Sequence, residues 1–450
     1  MSAEAGLASR RLASEPGTAT SRALLIAGAA VAAVAAVAYL VALATHPTAA
    51  LLKGFDLQVY LGGGQQALHH PDNLFTWHYE NHPGIQFTYT PFAALLFAVG
   101  SILPFRLLMD LATLVSTFAL AATVWIAFRE LGWERSARTG ATLLLAGLTF
   151  WSEPVQRGLY LGQVELVLMA LVVWDLCQPD RRWWKGAATG IAAGIKLVPL
   201  LFIAYLVITR RFRQAAVAAG AFVVTVIIGF AVLPNPSVTW WIDGNFFQAG
   251  RTGFVGDQQN QSLRGMLTRF IGSVSGGQPA WLAVAVVVGV GGLVAAAVLH
   301  HSGRTYPGLM AAALTALLIS PISWDHHWVW IAPGLAVIID AAVRAARGGA
   351  AAARTWWLVL AGAVLVLYGG WPDFWSRTAG LLEGGLINYA PASSFASGDN
   401  PHYAEYHWHG LQILAGNLYL LAGLGLFVVV LAAATRLLRA NGAAALPRWR

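Results

Sequence analysis

Charged side chains are scarce in this sequence of 450 residues: only 11% are Asp, Glu, Lys or Arg, whereas 57% are hydrophobic. Soluble domains contain about 25% charged residues, so the composition argues against a soluble enzyme. It also excludes a disordered chain and a nucleic-acid-binding protein. The formal net charge of +8 fits the basic cytoplasmic loops of a membrane protein better than a patch for an acidic partner.

Cysteine is nearly absent, since Cys177 is the single one in the chain. One thiol forms neither a disulfide framework nor a cysteine-based metal site. A cleaved signal peptide is not expected either. Residues 1–22 are polar, and the apolar run 23–45 is longer than the roughly 7–15 residues of a signal core. We therefore expect a first membrane span that is retained.

Apolar runs dominate the rest of the sequence. A helix that crosses a bilayer needs about 20 apolar residues, and shorter helices are possible inside a bundle. We expect an all-α polytopic membrane protein with one integral membrane domain at 23–434, flanked by cytoplasmic tails at 1–22 and 435–450. The predicted runs are 23–45, 91–103, 106–128, 139–152, 165–177, 186–208, 215–233, 279–299, 307–322, 327–343, 355–371 and 411–434.

Lys and Arg in short connections predict the orientation, because cytoplasmic loops carry an excess of both. The long loops 46–88 and 372–410 are acidic on balance and are expected to lie outside, with both termini in the cytoplasm. The connections assigned to the cytoplasm contain Arg10, Arg11 and Arg22; Arg181, Arg182 and Lys185; Arg210, Arg211 and Arg213; Arg344, Arg347 and Arg354; and the tail from Arg436.

Alternation of these loops across the membrane requires two adjustments. Run 91–103 lies between two prolines and is expected to enter the membrane without crossing. Run 186–208 has basic flanks at both ends, so we expect it to break at Gly194–Pro199 into two half-helices. Such breaks are tolerated where they line a cavity. Counting each half gives about 12 crossings. The other segments that then lie outside are 153–164, 234–278 and 322–327.

The few polar residues near the external segments are the candidates for function. Asp56 and Tyr60 follow the first span and share one face of a predicted interfacial helix. Asp56 is equally well explained as a helix cap. The histidines of this loop lack the spacing of metal ligands and are expected to be solvated; they are His69, His70, His78 and His82.

A second group of candidate residues is expected to face the first external loop, 46–88. Arg157, Gln163 and Glu165 lie at the mouth of a predicted span, whereas Glu153 is expected to be an ordinary loop residue. Lys196 lies at the predicted break, and an ionisable residue inside a bilayer indicates function by default. We interpret Lys196 as a cation that lines a cavity rather than one that reaches the interface. Such a cation suits a phosphate-bearing lipid.

A dense amide cluster occupies residues 257–264 and includes Asn260, Gln261 and Arg264. Clusters of this kind are unusual in so apolar a chain.

Residues 320–328 form another unusual segment, which contains Trp324, His326 and His327. An aromatic belt at the membrane interface explains the tryptophans but not the adjacent Asp and His residues. His326 and His327 are candidate bases because imidazole titrates near neutral pH. The sequence does not distinguish between the two.

Six short motifs, in order across residues 54–328, together resemble glycosyltransferase family 87. This family comprises membrane-embedded GT-C enzymes of actinobacteria that use polyprenyl-phosphate mannose to form α-(1→2) linkages. The GQ motif is often followed by Asn in relatives, whereas this chain has Glu165. The motifs are FDLQVY (55–60), FTYTPF (87–92), GQVE (162–165), GIKLVP (194–199), NQS (260–262) and SPISWDHH (320–327).

The resemblance implies a GT-C-type bundle whose external loops form the active site, in the plasma membrane. The implied donor is polyprenyl phosphate carrying β-mannose, the acceptor is a glycolipid or lipoglycan, and the anomeric centre is inverted. The implied enzyme is surrounded by membrane lipids and requires no nucleic acid, cofactor or metal. Asp56 matches the catalytic acidic position, and His326 and His327 are further catalytic candidates. The other candidates are Lys196, Arg157 and Arg264 for the donor phosphate, and Tyr60, Gln163, Glu165, Asn260, Gln261 and Trp324 for the substrates.

Two alternatives stay open. A GT-C transferase of another sugar, such as arabinose, is hardly separable by sequence. A flippase for lipid-linked sugars would share the broken helix and its lysine, but transporters often contain internal repeats, and none is evident here.

Overall fold

The computed structural model describes residues 18–45, 52–81, 85–368, 386–393 and 400–441. Within these ranges the protein is all-helical, without a β-strand and with two isolated β-bridges. The predicted tails and the loop 372–410 lie largely outside the described residues, as does His82. The expected all-α architecture is confirmed.

Each predicted apolar run coincides with one or two helices, and three further helices of at least nine residues lie outside these runs. All helices of at least that length within the described ranges are numbered here. They are α1 (Thr18–Thr45), α2 (Phe55–His69), α3 (Pro91–Gly100), α4 (Phe105–Glu130), α5 (Arg135–Phe150), α6 (Glu153–Leu161), α7 (Glu165–Leu176), α8 (Ala187–Ile195), α9 (Leu200–Ile208), α10 (Phe212–Val232), α11 (Leu263–Ile271), α12 (Val274–His301), α13 (Thr305–Ile319), α14 (Ile331–Gly348), α15 (Ala350–Tyr368) and α16 (Leu418–Asn441).

The protein is a multi-pass membrane protein by the length and composition of its helices. Six helical segments among the described residues are long and apolar enough to cross a membrane, and the pair α6–α7, bent by 115°, would make a seventh. The expected count of about 12 crossings is therefore not confirmed. The six segments are Ser21–Thr45, Phe105–Glu130, Phe212–Val232, Val274–His301, Asp325–Ala346 and Leu418–Ala440.

The short run after the first external loop forms α3, which has ten residues. A helix of this length extends for about 15 Å, half of the ~30 Å hydrocarbon core of a bilayer. Thr90 caps it by accepting a hydrogen bond from the Ala93 N–H at 3.1 Å. The length agrees with the expectation that this run enters the membrane without crossing it.

The predicted broken helix is confirmed, with α8 and α9 separated at Lys196–Pro199. Asp175, at the end of α7, accepts a hydrogen bond from the Gly186 N–H at 2.9 Å and so holds the start of α8. Arg211, just after α9, donates to the carbonyl of Leu176 at 3.4 Å. Both outer ends thus lie beside the end of α7, and each nine-residue arm extends for about 14 Å. The element enters and returns, so its two halves are not two full crossings.

Close packing and one hydrogen bond stabilise the break. The Thr90 hydroxyl donates to the Gly194 carbonyl at 2.5 Å, which satisfies a backbone group that the interrupted helix leaves open. A Cβ at Gly194 would lie 2.2 Å from Thr225 Oγ1. Glycine is therefore required where α8 touches α10.

Helix α4 runs from one end of the bundle to the other, so its contacts show which residues lie at each end. Its Met109 lies against Gly54 and Gly162, since a Cβ at these glycines would be 2.9 and 3.2 Å from its sulfur. At the other end, Arg129 donates to the Cys177 carbonyl at 3.0 Å. These points are separated by 20 residues of helix, or about 30 Å. Gly54 and Cys177 therefore mark opposite ends of the bundle.

Three of the five predicted basic connections lie together at the Cys177 end. Arg213 donates to the Arg182 carbonyl at 2.9 Å, and Arg211 contacts Asp180 at 3.1 Å. Arg344 donates to the Leu131 carbonyl at 2.9 Å. The structure thus confirms that these connections share one end, and the side of the membrane on which that end lies stays a prediction.

Candidate active site

A cavity of about 1250 Å³ lies at the end of the bundle that contains Gly54. The start of α2, the α6–α7 turn, the α8–α9 break and the segment after α13 all contribute to its lining. These are four of the places where the sequence predicted functional residues. Of those candidates, the cavity is lined by Asp56, Tyr60, Arg157, Gln163, Lys196, Trp324, His326 and His327.

Asp56 lies in the first turn of α2, which begins at Phe55, directly after Gly54. Gly54 has a positive φ of 62° and donates its N–H to the Tyr160 carbonyl at 2.8 Å, which ties the start of α2 to α6. The Asp56 carboxylate accepts a hydrogen bond from the side-chain amide of Gln163. Its partner is therefore another element of the site and not the backbone of its own helix.

Two tyrosines fix the orientation of Gln163. The Tyr60 hydroxyl donates to Gln163 Oε1 at 2.5 Å and lies 2.7 Å from the hydroxyl of Tyr89. Because the amide oxygen is occupied in this way, the amide NH₂ points to Asp56. Tyr89 was not among the sequence candidates, although it belongs to the FTYTPF motif.

Burial raises the pKa of the Asp56 carboxyl above its ordinary value, because the ionised form loses hydration. The interaction with His326, the hydrogen bond from Gln163, and the cations Lys196 and Arg157 offset part of this shift. Asp56 belongs to α2, which is not one of the membrane-spanning segments. The result is a carboxylate of increased basicity beside two cations.

Lys196 projects from the helix break into the cavity. Its ammonium group contacts the Glu165 carboxylate, lies 3.0 Å from His327 Nε2 and is 5.4 Å from the ring centre of Tyr89. Glu165 itself is buried and does not line the cavity. The break thus presents a cation whose position is set by two neighbouring helices.

The two adjacent histidines have different partners. His326 Nδ1 lies 3.0 Å from Asp325 Oδ1, whereas no hydrogen-bond partner of its Nε2 exists among the described residues. His327 Nε2 lies near Lys196 and is 3.1 Å from Glu165. A carboxylate on Nδ1 holds the imidazole in the form whose Nε2 accepts a proton. The geometry therefore distinguishes the two residues where the sequence did not.

Glu153 corrects an expectation, because it is a buried residue and not a solvated one. Only 2% of it is exposed, and the Tyr419 hydroxyl donates to its Oε2 at 2.6 Å. The neighbouring Asp325 also approaches Arg157, with 3.9 Å between Asp325 Oδ2 and Arg157 Nε. Sequence adjacency to two histidines could have indicated Asp325. Nothing local indicated Glu153, whose partner is 266 residues away.

Asn260 and Gln261 do not line the cavity and instead join two loops. Asn260 Oδ1 accepts from the Ser323 N–H at 3.0 Å, and the Gln261 N–H donates to the Ser323 carbonyl at 2.8 Å. The Gln261 side chain also donates to the Gly416 carbonyl at 2.8 Å. Both amides thus position the segment that leads to the histidines.

Arg264 is likewise not among the lining residues. Its guanidinium lies 5.1 Å from the ring centre of Trp281 and donates to Gln278 at 3.4 Å. Of the three predicted phosphate-binding cations, the structure brings Lys196 and Arg157 to the cavity.

Glu165, His326 and His327 place three potential metal-ligand atoms within 4.8 Å of one another. However, the ammonium group of Lys196 already contacts two of these residues, Glu165 and His327. A second cation there would be repelled by the first. The charge that a metal ion would supply is thus provided by a side chain.

Comparisons with a family model and with individual known proteins identify the same family. The sequence matches glycosyltransferase family 87 over residues 87–321. A mycobacterial polyprenol-phosphate-mannose-dependent α-(1-2)-phosphatidylinositol pentamannoside mannosyltransferase, from Mycobacterium tuberculosis, is 35% identical over 68% of this chain and 70% of its own. Its namesake from Mycolicibacterium smegmatis is 32% identical over 71% and 78%. A phosphatidylinositol mannoside mannosyltransferase of M. tuberculosis is 29% identical over 62% and 65%. No solved structure matches the chain.

Proposed function

The chain belongs to glycosyltransferase family 87 and is a membrane-embedded glycosyltransferase, and we propose that it transfers mannose from polyprenol-phosphate mannose to a phosphatidylinositol mannoside. The names of its relatives specify that donor and an α-(1-2) linkage. The single observation that carries the proposal is the cavity in which the basic carboxylate of Asp56 and the cation Lys196 lie together.

Asp56 acts as the general base. The acceptor hydroxyl attacks the anomeric carbon on the face opposite the phosphate, and its proton passes to the Asp56 carboxylate. The new C–O bond forms as the bond to the phosphate oxygen breaks, so a β-linked donor gives an α-linked product. Gln163 orients the carboxylate through its amide. General-base assistance of this kind typically contributes about 10²–10⁴-fold.

Lys196 and Arg157 stabilise the leaving group. Departure of the polyprenyl phosphate places additional negative charge on a phosphate oxygen, and fixed cations in a water-poor site stabilise such charge strongly. Lys196 is held by Glu165 and His327, so little reorganisation is needed when charge develops.

His326 and His327 have separate roles in this mechanism. His327 positions Lys196, because its Nε2 lies against the ammonium group. His326, oriented by Asp325, has an Nε2 without a partner among the described residues and faces the substrate as a hydrogen-bonding group or a second base.

The active site lies on the outer face of the plasma membrane, with the termini in the cytoplasm. The support is the distribution of charge, because the basic connections meet at the end of the bundle opposite the cavity, and such connections are retained in the cytoplasm. A hydrophobic donor then enters the cavity from the outer leaflet.

The test is a transfer assay with the protein in lipid nanodiscs, radiolabelled polyprenyl-phosphate mannose and a phosphatidylinositol mannoside. We expect Asp56→Asn, which keeps the shape of the side chain, to lower the initial rate by at least about 100-fold. Lys196→Ala is expected to slow transfer strongly. The matched control is Asp243→Asn, an exposed external carboxylate that does not line the cavity, and it should transfer at the wild-type rate.

Each alternative predicts its own result. Full activity of Asp56→Asn would contradict the assignment of Asp56 as the base. Transfer from a polyprenyl-phosphate arabinose donor but not from the mannose donor would show that the sugar is arabinose. Movement of the labelled donor across the bilayer of sealed proteoliposomes, without transfer, would identify a flippase.

A further inference from the structure

A second wall of the cavity is polar but contains no cation. It is formed by Asp257, Gln258, Gln259, Trp324 and Asn388, all of which line the cavity. We call this group the amide wall. The mechanism above uses none of these residues, so their convergence requires a separate explanation.

The loop that supplies the amide wall is held rigidly from behind. Arg269, which is 4% exposed and does not line the cavity, donates to the carbonyls of Asp257 at 2.7 Å and Asn260 at 3.2 Å. Its other terminal nitrogen donates to Asn417 Oδ1 at 2.5 Å. The Gln259 carbonyl accepts from the Asp325 N–H at 2.9 Å. A buried guanidinium thus fixes the backbone, while the side chains of the wall point to the other side.

Two polar groups of the amide wall lack partners among the described residues. Gln258 is 8% exposed, and its Nε2 donates to Asn388 at 2.9 Å while its Oε1 is buried without a hydrogen bond. One Asp257 oxygen accepts from the Gln259 N–H at 2.8 Å, and no described residue donates to the other. The unsatisfied buried acceptor of Gln258 is expensive, and the free oxygen of the half-buried Asp257 is available at the cavity. Both groups therefore point to a ligand with hydrogen-bond donors.

The chemistry of the amide wall favours a neutral glycan. Carboxylate and amide groups bind hydroxyls, and Trp324 offers a flat apolar surface to the face of a sugar ring. A phosphate is disfavoured, because Asp257 is acidic and the four cations that line the cavity have other partners. Lys196 and Arg157 belong to the Asp56 side, Lys53 lies over the ring of Phe55, and Arg251 donates to the Phe75 carbonyl. Pockets for one small ligand occupy about 300–1,000 Å³, and this cavity of about 1250 Å³ is larger.

We propose that the amide wall is a subsite for the glycan of the acceptor, binding sugar residues next to the one whose hydroxyl is extended. This inference rests on the proposed transfer to a mannosylated glycolipid. In this arrangement the two substrates occupy different parts of one cavity, with the donor phosphate at Lys196 and the acceptor glycan at Asp257. The rigid loop also connects the subsite to the active site, because Gln259 and Asp325 are joined by a hydrogen bond.

The test compares the Michaelis constants of the two substrates. We expect Asp257→Ala to raise KM for the phosphatidylinositol mannoside about tenfold, as for loss of a hydrogen bond to a charged group. KM for the donor and kcat at saturating acceptor should remain at the wild-type values. The acceptor glycan, released from its lipid, should inhibit the wild type competitively and the variant about tenfold more weakly. Asp243→Asn is the matched control and should change none of these values.

Asp257→Asn keeps an acceptor oxygen for the Gln259 N–H and replaces the alanine variant if that variant fails to fold. We expect it to raise KM for the phosphatidylinositol mannoside by a smaller factor. An unchanged acceptor KM in both variants, or an increase in the donor KM instead, would overturn the subsite. Absence of inhibition of the wild type by the free glycan would also overturn it. Lack of any mannose transfer by the wild type would instead refute the proposed function.

Discussion

The acidic side chains of Asp56, Glu165 and Asp325, in or beside the cavity, have different partners. Glu165 contacts the ammonium group of Lys196, and Asp325 binds Nδ1 of His326. Asp56 is bonded to a neutral amide. A carboxylate paired with a cation or an imidazole is a weaker base, because the partner stabilises its ionised form more than a neutral amide does. These contacts favour Asp56 as the base over its two acidic neighbours.

The environment of Asp56 predicts the pH dependence of transfer. The base works only when ionised, and burial raises the pKa of Asp56 above its ordinary value. Activity should therefore fall on acidification at a pH above the ordinary aspartate pKa of about 3.9. Because the Gln163 hydrogen bond lowers the pKa, Gln163→Leu should move this decline to still higher pH. The measurement is kcat/KM against pH.

In that experiment Asp243→Asn should reproduce the wild-type profile, since its side chain is exposed and away from the cavity. A profile that stays flat down to about pH 4, near the ordinary aspartate value, would contradict the raised pKa.

Individual site residues were predictable where a polar group interrupts an apolar sequence. Lys196 and Gln163 were found in this way, and both line the cavity. Glu153 was not found, because its burial depends on Tyr419, which is distant in sequence. Asn260 was assigned to substrate binding because composition shows that an amide is unusual but not in which direction it points.

At the scale of elements, the broken helix was predictable because its flanks and its interior give independent indications. Basic residues at both ends require it to return to the same side, and Lys196 with Pro199 locates the break. The stabilising contact from Thr90 to the Gly194 carbonyl was not predictable, since it joins segments 104 residues apart.

The close approach of α8 and α10 predicts the effect of a methyl group at Gly194. Gly194→Ala would place its Cβ 2.2 Å from Thr225 Oγ1, and overpacking of this kind costs about 1–3 kcal/mol. The expected result is a lower thermal unfolding temperature in detergent, together with slower transfer because Lys196 is displaced.

Gly220→Ala, on α10, is the matched control for this variant. A Cβ at Gly220 would have no described atom within 4 Å outside its own helix turn, and alanine is favoured over glycine in a helix by up to about 1 kcal/mol. The control should therefore be as stable as the wild type or slightly more stable. Equal stability of the two alanine variants would show that the α8–α10 contact does not require glycine.

At the scale of the whole molecule, the predicted count of about 12 crossings is not confirmed, since six or seven helical segments of the described ranges are long and apolar enough to span a membrane. Hydropathy identifies apolar runs, but it does not distinguish a spanning helix from one that enters and returns. Helices α8 and α9 illustrate the difference, because their outer ends both lie beside α7. The grouping of the loops at two ends was nevertheless predictable, because it depends on charge alone.

The orientation of these two ends can be measured with a membrane-impermeant maleimide on intact cells. In a Cys177→Ala background, Asp243→Cys should be labelled, because this exposed position follows the predicted external end of α10. Arg181→Cys, exposed in a basic connection at the opposite end, should be labelled only after permeabilisation. The physical reason is retention of arginine-rich connections in the cytoplasm. Labelling of Arg181→Cys on intact cells would show that the protein has the opposite orientation in the membrane. The cavity would then have to receive its donor from the cytoplasmic leaflet.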